Sequence, residues 1–365
     1  MTAPLTRSQL TVDLRALRAN WTRLGEVATG CAVAAMVKAD GYGVGAIPVA
    51  EALHAEGCEE FFVAEIGEAI TLRQAMPDIA IFVLAGAQPG TEHELLHHDL
   101  TPVLISIEQI DRWVALAGEH DRALRASVHL DTGMNRTGLD RTDTETLLAD
   151  PGRLDGLDVV HLMSHLASAD DDETSQNERQ LAAFRRIRDT LTVGKASLAN
   201  TPGIALGPRF HFDHVRPGVG LYGADPSPHG RLGITPVVRL EVPVLQIRTV
   251  AAGETVGYSA SHTTTGERTL ATLAVGYGDG FLRSQSGRGM AAFDGHRAPI
   301  VGRVSMDLIT VDITDLPAEV AVTPGSAAEL IGPTITIDEV AEAAGTIPYE
   351  ILTALGHRYL RRHIG

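Results

Sequence analysis

The sequence predicts an α/β fold, in which an N-terminal (β/α)₈ barrel is followed by a C-terminal, mostly-β domain. Before residue 236, eight short apolar runs alternate with amphipathic stretches, as expected for parallel strands connected by helices. From Pro236 onward, β-type runs follow one another between turns rich in Gly, Pro and Thr, which is typical of an all-β domain. The predicted domains are therefore residues 1–235 and 236–365.

The barrel elements follow from this alternation. A first helix is predicted over Leu14–Val27, and the first strand is the run CAVAAMV, which ends directly before Lys38. The other seven strands are predicted in FFVA, IAIFVLA, PVLIS, LRASVHLD, LDVVHLMSHL, KASLAN and HVRPG. Helical patterns between them cover residues 47–55, 67–74, 107–117, 143–148 and 175–191.

The C-terminal domain shows strand patterns in VVRLEVPVLQIRTV, TLATLAVGY, APIVGRVSMDLITVDI and AAELIG. One short helix is predicted within it, over Ile337–Ala344. The change from helical to β patterning places the boundary near residue 235.

Composition excludes several classes of protein. With 46 acidic and 30 basic side chains, the net charge is −16, which argues against nucleic acid or an anionic membrane as a partner. No apolar run is long enough to span a membrane, and MTAPLTRSQLTVDL lacks an apolar signal segment, which favours the cytoplasm. Two cysteines cannot build a disulfide framework, and no Cys/His spacing indicates a metal site.

Lysine is rare in this chain, since only Lys38 and Lys195 occur among the 30 basic residues. Lys38 follows the first strand, at the end where barrels carry their active sites. A lysine there can lose its charge and act as a nucleophile, whereas arginine is never deprotonated. The alternative is a solvated strand-end lysine, which the preference for arginine elsewhere disfavours. Lys195 precedes a strand and is predicted to be structural.

A series of motifs resembles those of the bacterial alanine racemases, pyridoxal 5′-phosphate enzymes of fold-type III. In chain order they are KADGYG (38–43), DTGMNRTG (131–138), SHLA (164–167), RPGVGLYG (216–223), GYGDG (276–280), GRVSMD (302–307) and YE (349–350). Each motif alone is weak, but together, in the family's order across both domains, they are specific. The resemblance implies a racemase that interconverts L-alanine and D-alanine and supplies D-alanine for peptidoglycan.

The resemblance also implies pyridoxal 5′-phosphate bound as a Schiff base with Lys38. Barrels commonly bind phosphate at the loops after strands 7 and 8. The implied phosphate-binding groups are the Thr201 hydroxyl, the Gly218 and Val219 amides, and the phenols of Tyr42 and Tyr349.

Arg216 is implied to face the pyridine nitrogen of the cofactor. A guanidinium donates a hydrogen bond but no proton, so the ring nitrogen stays neutral and the ring is a weaker electron sink. A weaker electron sink gives a short-lived carbanion, which suits racemisation. His165 is expected to accept a hydrogen bond from Arg216 and to pack near the ring; the alternative is a satisfied core histidine.

Racemisation needs a base on each face of the planar carbanion. The resemblance assigns Lys38 to one face and Tyr277 to the other, with Arg216 and His165 as candidate sources of positive charge for the phenolate. The alternative for Tyr277 is a turn aromatic, because Gly-Asp-Gly is turn chemistry. Since Tyr277 lies in the second domain, the resemblance implies a head-to-tail homodimer with composite active sites.

Arg136 and the backbone amide of Met306 are implied to bind the substrate carboxylate. Asp307 is expected to orient nearby backbone, or is a simple turn acid. His129 stands where many members have a carbamylated lysine that holds Arg136. Because histidine is not expected to form that carbamate, we hypothesise that a bound anion or a water holds Arg136 instead.

Other functions share parts of this pattern. A broader racemase acting on serine or another small amino acid fits the same motifs, because one extra substituent costs only about 1–3 kcal/mol in an apolar pocket. A cofactor-homeostasis barrel protein would lack the motifs around Tyr277 and Met306, and a barrel-type decarboxylase would carry a cysteine motif that this sequence lacks. A cofactor-binding dimer without turnover is disfavoured because all the catalytic groups are present.

Overall fold

The computed structural model describes residues 5–171, 173–191, 193–227 and 230–365, and its two large sheets divide the chain. The first four residues of the N-terminal segment considered above lie outside this description. The strands are β1 Gln9–Asp13, β2 Ala32–Val33, β3 Ala35–Met36, β4 Glu60–Val63, β5 Ala80–Val83, β6 Thr101–Leu104, β7 Leu124–His129, β8 Leu157–Met163, β9 Lys195–Ser197, β10 His214–Val215, β11 Val238–Val250, β12 Thr255–Val256, β13 His262–Thr263, β14 Arg268–Leu273, β15 Met290–Phe293, β16 His296–Val301, β17 Ile309–Asp312, β18 Ala327–Ile331 and β19 Leu360–Ile364. The α-helices are α1 Leu14–Val27, α2 Lys38–Tyr42, α3 Ala46–Ala55, α4 Ile66–Ala75, α5 Glu92–His97, α6 Ile107–Glu119, α7 Arg141–Ala149, α8 Gln176–Thr190, α9 Thr201–Ala205, α10 Ile337–Ala344 and α11 Pro348–Ala354.

The first sheet is a nearly closed barrel of parallel strands. Strands β2 and β3 form a single barrel strand interrupted at Ala34; β2 pairs with β10 and β3 with β4, so the order runs round the ring from β4 to β10. Across the interruption, the Ala34 N–H donates to the Val215 carbonyl at 3.0 Å. The predicted (β/α)₈ barrel, a TIM-type fold, is therefore confirmed.

The barrel strands are short and apolar because both of their faces are covered. In β4, Phe61 and Phe62 are fully buried. The helices cover the outside, as α1 shows: the Asp13 carboxylate caps its first turn, accepting from the Arg15 and Ala16 N–H groups, and Leu17 and Leu24 are buried.

The second sheet is largely antiparallel and contains eight strands in the order β14-β17-β16-β15-β18-β11-β1-β19, with a further β14–β11 pairing. This confirms the predicted C-terminal β architecture. Strand β1 comes from the start of the chain, antiparallel to β11 and parallel to β19. The sequence pattern does not predict this placement, because pairing over more than 200 residues is not encoded locally. The domain boundaries at 235 and 236 stay a prediction.

Two helices lie near the C-terminus. The predicted helix is α10, whose Thr336 and Glu339 form a capping box. The second, α11, starts at Pro348 and is not predicted by the sequence pattern. No helix in the described ranges is long and apolar enough to cross a membrane. Cys31 and Cys58 are both free.

Candidate active site

A cavity of about 630 Å³ lies at the carboxyl ends of the barrel strands. Its size is within the range of small-molecule sites. The predicted residues that line it are Lys38, Tyr42, Arg136, His165, Thr201, Arg216, Gly218, Val219 and Tyr349. These residues follow five different barrel strands or, for Tyr349, lie on α11. The barrel therefore gathers groups that are up to 311 residues apart in the sequence.

Lys38 is followed by a turn in an unusual backbone conformation. Ala39, Asp40 and Tyr42 all have φ between 52° and 55°, which is unfavourable for residues with a side chain. The Glu68 carboxylate holds this turn, because it accepts from the Ala39 N–H at 2.6 Å. The strained turn fixes the direction in which the Lys38 side chain leaves the backbone.

The Lys38 amine is electrostatically prepared to lose its proton. Burial lowers its pKa, and the positive charge of Arg136 lowers it further, while Glu68 opposes the shift. Because the neutral amine is the nucleophile, this environment favours the chemistry predicted for Lys38.

The loops after β9 and β10 meet at the Thr201 hydroxyl. Its oxygen accepts from the Gly218 N–H at 2.9 Å and from the Gly220 N–H at 3.3 Å. Gly218 is required for this approach, because a Cβ at this position would lie 2.2 Å from Tyr42 Oη. Backbone amides, a hydroxyl and a phenol therefore surround one end of the cavity.

Both phenols at the cavity are protonated near neutral pH. Burial, followed by the charge of Asp170, raises the pKa of Tyr349 to about 12. Burial also raises the pKa of Tyr42 well above its ordinary value. The two side chains are therefore hydrogen-bond donors, which an oxygen-rich anion such as phosphate requires.

Arg216 is a fully buried cation at the base of the cavity. Its Nη2 donates to the Ser164 carbonyl at 2.6 Å, and its Nη1 donates to Ser197 Oγ. Burial lowers its pKa to about 10, so the guanidinium remains charged near neutral pH. No carboxylate in the described ranges forms an ion pair with it.

His165 differs from expectation in two respects. Its ring contacts Asn200 Nδ2, at 3.4 Å, and the described residues include no hydrogen bond between His165 and Arg216. Burial lowers the pKa of His165, and the charges of Arg216 and Arg136 lower it further. The imidazole is therefore neutral and is not a source of positive charge, since its cationic neighbours repel the proton.

Arg136 is exposed at the cavity, and within the described residues it has neither an ion pair nor a side-chain hydrogen bond. His129, the last residue of β7, is buried. Burial and the charges of Arg216 and Arg136 lower the pKa of His129 to about 3. A neutral imidazole thus stands at this position and cannot neutralise Arg136.

Tyr277, Met306 and Asp307 lie outside the cavity, on the C-terminal domain. The Tyr277 N–H donates to the Ser305 carbonyl at 3.0 Å, so the two loops are held together. Tyr277 is 43% exposed and Met306 is 55% exposed. The structure therefore brings these three residues near one another but does not bring them to Lys38 within one chain.

Arg358 links the two loops and was not foreseen from the sequence. Its Nε lies 2.6 Å from the Asp279 carboxylate, and its Nη1 lies 2.6 Å from that of Asp307. Asp307 is thus an ion-pair partner of Arg358, and within the described residues its carboxylate accepts no hydrogen bond from a backbone N–H. Arg358 is 51 residues from Asp307 in the sequence, so no local pattern indicates the contact.

The sequence pattern also misses Asn200, whose side chain caps α9 by accepting from the Gly203 N–H at 3.0 Å. Other lining residues, such as Thr346, Ile347 and Thr353, lie on or beside α11. Pro348 occupies the first position of α11, and a proline at that position is a helix-start signal by which the sequence indicates this helix.

These groups fit pyridoxal 5′-phosphate. The amine of Lys38 suits an aldehyde, the Arg216 guanidinium suits a ring nitrogen acceptor, and the amide and phenol donors suit a phosphate. The steric limit at Gly218 shows that backbone, rather than a side chain, closes this end of the cavity.

Comparisons with known proteins point to one family. The chain matches the model of the alanine racemase N-terminal domain over residues 12–226 and that of the C-terminal domain over residues 237–363. It is 48% identical to a catabolic alanine racemase of Agrobacterium fabrum, covering 97% of this chain and 92% of that protein. It is 45% identical to an alanine racemase of Rhodospirillum rubrum, covering 98% and 96%.

Two solved structures are closely similar. The alanine racemase of Bartonella henselae with covalently bound pyridoxal phosphate superposes with a TM-score of 0.94 at 40% identity, covering 98% of this chain and 100% of that one. The alanine racemase of a D-cycloserine-producing Streptomyces lavendulae superposes with a TM-score of 0.92 at 31% identity, covering 100% and 98%.

Proposed function

Since this chain belongs to the alanine racemase family, we propose that it interconverts L-alanine and D-alanine with pyridoxal 5′-phosphate, by a two-base mechanism. The observation that carries the proposal is the cavity at the barrel's strand ends. It gathers the amine of Lys38, the buried cation Arg216 and the backbone of Gly218 and Val219.

The cofactor, when bound, supplies an electron sink for the electron pair left at the α-carbon. The chain's own residues would hold it: Lys38 Nζ toward its aldehyde carbon, Arg216 toward its ring nitrogen, and Thr201, Tyr42 and Tyr349 toward its phosphate. Because Arg216 donates a hydrogen bond but no proton, it would leave the ring nitrogen neutral and the ring a weaker electron sink.

Two bases exchange the α-proton. We assign Lys38 Nζ, which is free once the substrate's amine has taken its place on the cofactor, to one face and Tyr277 Oη to the other, so that one group removes the proton while the other returns it. The lowered pKa of Lys38 supports the first assignment.

A homodimer with composite sites follows from the second assignment. Tyr277 lies outside the cavity of its own chain, so the proposal requires the Tyr277 of a second copy. Support comes from large apolar side chains exposed on the same domain, namely Tyr258, Met306 and Leu308. Their exposure is expected of a surface that a second copy covers.

The substrate carboxylate is assigned to Arg136 and the Met306 amide. Arg136 is free of ion pairs within the described residues, so its guanidinium is available. Arg358 restrains the loop of Met306 through Asp307. A small side chain is accepted best, and alanine is the proposed substrate ahead of serine.

The proposed role is the supply of D-alanine for peptidoglycan, in the cytoplasm. The two free cysteines suit a reducing compartment. Restored growth of a D-alanine auxotroph expressing this chain would support this role.

The purified protein, loaded with the cofactor, is tested by chiral chromatography after incubation with L-alanine. We expect conversion to a near-equal mixture of enantiomers, with serine converted much more slowly. Pyruvate or ethylamine as the product would contradict the racemase assignment, and equal rates on serine would contradict the preference for alanine.

A further inference from the structure

A second cluster of polar side chains lies inside the barrel, outside the cavity. Glu60 begins β4, His161 lies in β8, and His214 begins β10. Glu60 Oε2 lies 2.9 Å from His214 Nε2 and 3.1 Å from His161 Nε2. Both imidazoles are fully buried, and the Glu60 side chain is 17% exposed. Removing a carboxylate from water is costly, so this cluster needs a compensating role.

Chemistry fixes the direction of the hydrogen bonds around His214. Burial lowers the pKa of His214 to about 4, although Glu60 opposes the shift, so the ring is neutral near pH 7. Its single proton lies on Nε2, because the facing carboxylate only accepts. Nδ1 is therefore an acceptor. The one proton of the Ser197 hydroxyl faces two acceptors on His214, Nδ1 at 3.1 Å and the backbone carbonyl at 2.7 Å.

The same serine contacts the cofactor-facing arginine. Arg216 Nη1 donates to Ser197 Oγ, and a guanidinium has no acceptor. A chain of polar contacts thus runs from Arg216 through Ser197 to His214, whose Nε2 lies 2.9 Å from Glu60 Oε2. Since no carboxylate in the described ranges pairs directly with Arg216, this chain connects the buried cation to a negative charge.

We propose that Glu60 is a positioning residue for the racemase reaction: through His214 and Ser197 it fixes the orientation of Arg216 and offsets its positive charge. The inference rests on the proposed function, because Arg216 is assigned to the cofactor's ring nitrogen. A guanidinium held from behind presents its remaining N–H groups to the cavity in a single orientation, which is the requirement for a directional hydrogen bond.

A metal ion is the alternative occupant of the cluster. The nitrogen–oxygen separations of 2.9 Å and 3.1 Å are those of close polar contacts, although the three atoms do not have hydrogen-bond geometry. Structural metal sites are usually closed by four protein ligands, whereas only three converge here among the residues that the structure describes. A metal-free cluster is therefore favoured, and metal content is one outcome of the test.

The barrel provides a matched control. Ser127 Oγ lies 3.1 Å from His161 Nδ1, as Ser197 Oγ does from His214 Nδ1. Both serines are fully buried. Only Ser197 contacts Arg216. Ser127→Ala and Ser197→Ala therefore each remove a buried hydroxyl that contacts an imidazole Nδ1. Ser197 also contacts the His214 carbonyl, and only its removal interrupts the chain to the cavity.

The test is a double-mutant cycle on the cofactor-loaded enzyme, measuring kcat, KM and the absorption spectrum of the bound cofactor. Glu60→Gln and Ser197→Ala should each lower kcat by about three- to tenfold and shift the absorption maximum, with KM little changed. Ser127→Ala should change kcat less than about twofold. Glu60→Gln should not lower kcat further in the Ser197→Ala background. In the Ser127→Ala background it should lower kcat by its full factor.

Equal losses from Glu60→Gln in all three backgrounds would overturn the proposal. So would a Ser127→Ala variant as impaired as Ser197→Ala, or a divalent metal bound stoichiometrically to the purified protein. Where Glu60→Gln does not fold, the two serine variants alone decide the outcome.

A second readout needs neither cofactor nor turnover. In the cofactor-free protein with nitrogen-15 arginine and histidine, Glu60→Gln should shift the Arg216 guanidinium signals in the wild-type and Ser127→Ala backgrounds. It should leave them unchanged in the Ser197→Ala background, and a shift there would contradict the chain. If the wild-type protein does not racemise alanine, the proposed function fails while this measurement still tests the positioning role.

Discussion

The backbone of Gly218 approaches the phenol of Tyr42 so closely that no side chain fits between them: a Cβ on Gly218 would lie 2.2 Å from Tyr42 Oη. The φ of Gly218 is −122°, so the constraint is steric rather than conformational. The loop after β10 and the turn after Lys38 therefore close the same end of the cavity.

Gly218→Ala should weaken cofactor binding by at least about tenfold, because the Tyr42 phenol must leave its position and one charged hydrogen bond is lost. Titrating the cofactor-free protein with pyridoxal 5′-phosphate and following absorbance measures the change. Gly118→Ala, in the last turn of α6 where a Cβ meets nothing within 4 Å, is the control and should bind normally. Unchanged affinity in Gly218→Ala would show that Tyr42 does not contribute.

Lys38→Met should stabilise the cofactor-free protein near neutral pH. Burial lowers the pKa of Lys38 in the folded state, so between that pKa and the ordinary value near 10.5 the unfolded chain binds more protons. The free energy of unfolding of the wild type therefore rises with pH across this window, and the excess stability of Lys38→Met should shrink. Urea unfolding of both proteins at several pH values measures this difference. Lys195→Met, at an exposed position, should show no such trend.

His129→Gln should reduce the loss of folding stability that occurs as the pH is lowered. The pKa of His129 is about 3 in the folded state and 6.5 ordinarily, so below pH 6.5 the unfolded chain gains a proton that the folded one refuses. Wild-type stability should fall from pH 6.5 toward pH 3 more steeply than that of the variant, since each tenfold difference in proton affinity corresponds to about 1.4 kcal/mol. If the free energies of unfolding of the wild type and His129→Gln fell in parallel as the pH is lowered, the burial of a neutral imidazole would be contradicted.

Two inactive variants should restore activity when mixed. In a composite-site dimer of Lys38→Ala and Tyr277→Phe subunits, one site combines an intact Lys38 with an intact Tyr277, and the other site has neither. After unfolding and refolding the equimolar mixture, we expect about a quarter of the wild-type activity, because half of the dimers are mixed and each has one intact site. Each variant refolded alone is the control. No recovery would place both bases in one chain.

The sequence is most informative where function depends on residues near one another along the chain. The motif KADGYG contains both Lys38 and the turn that directs it, and the alternation of strands and helices places the predicted residues at strand ends. Eight of them accordingly line one cavity, together with Tyr349 from α11. Strand β1, helix α11 and Arg358 are not predicted, because their partners are distant in sequence and their own patterns are short.

By itself, the sequence determined the two-part architecture and the strand-end position of Lys38, because periodicity is a local property, while the groups around Lys38 followed from the resemblance to the alanine racemases. The tertiary structure alone decided the protonation states and the connections between these groups. The neutrality of His129 and His165 comes from burial beside cations contributed by other strands. The chain from Arg216 through Ser197 and His214 to Glu60 exists because barrel closure brings β4, β9 and β10 around one interior. Such contacts are set by packing, which no local pattern encodes.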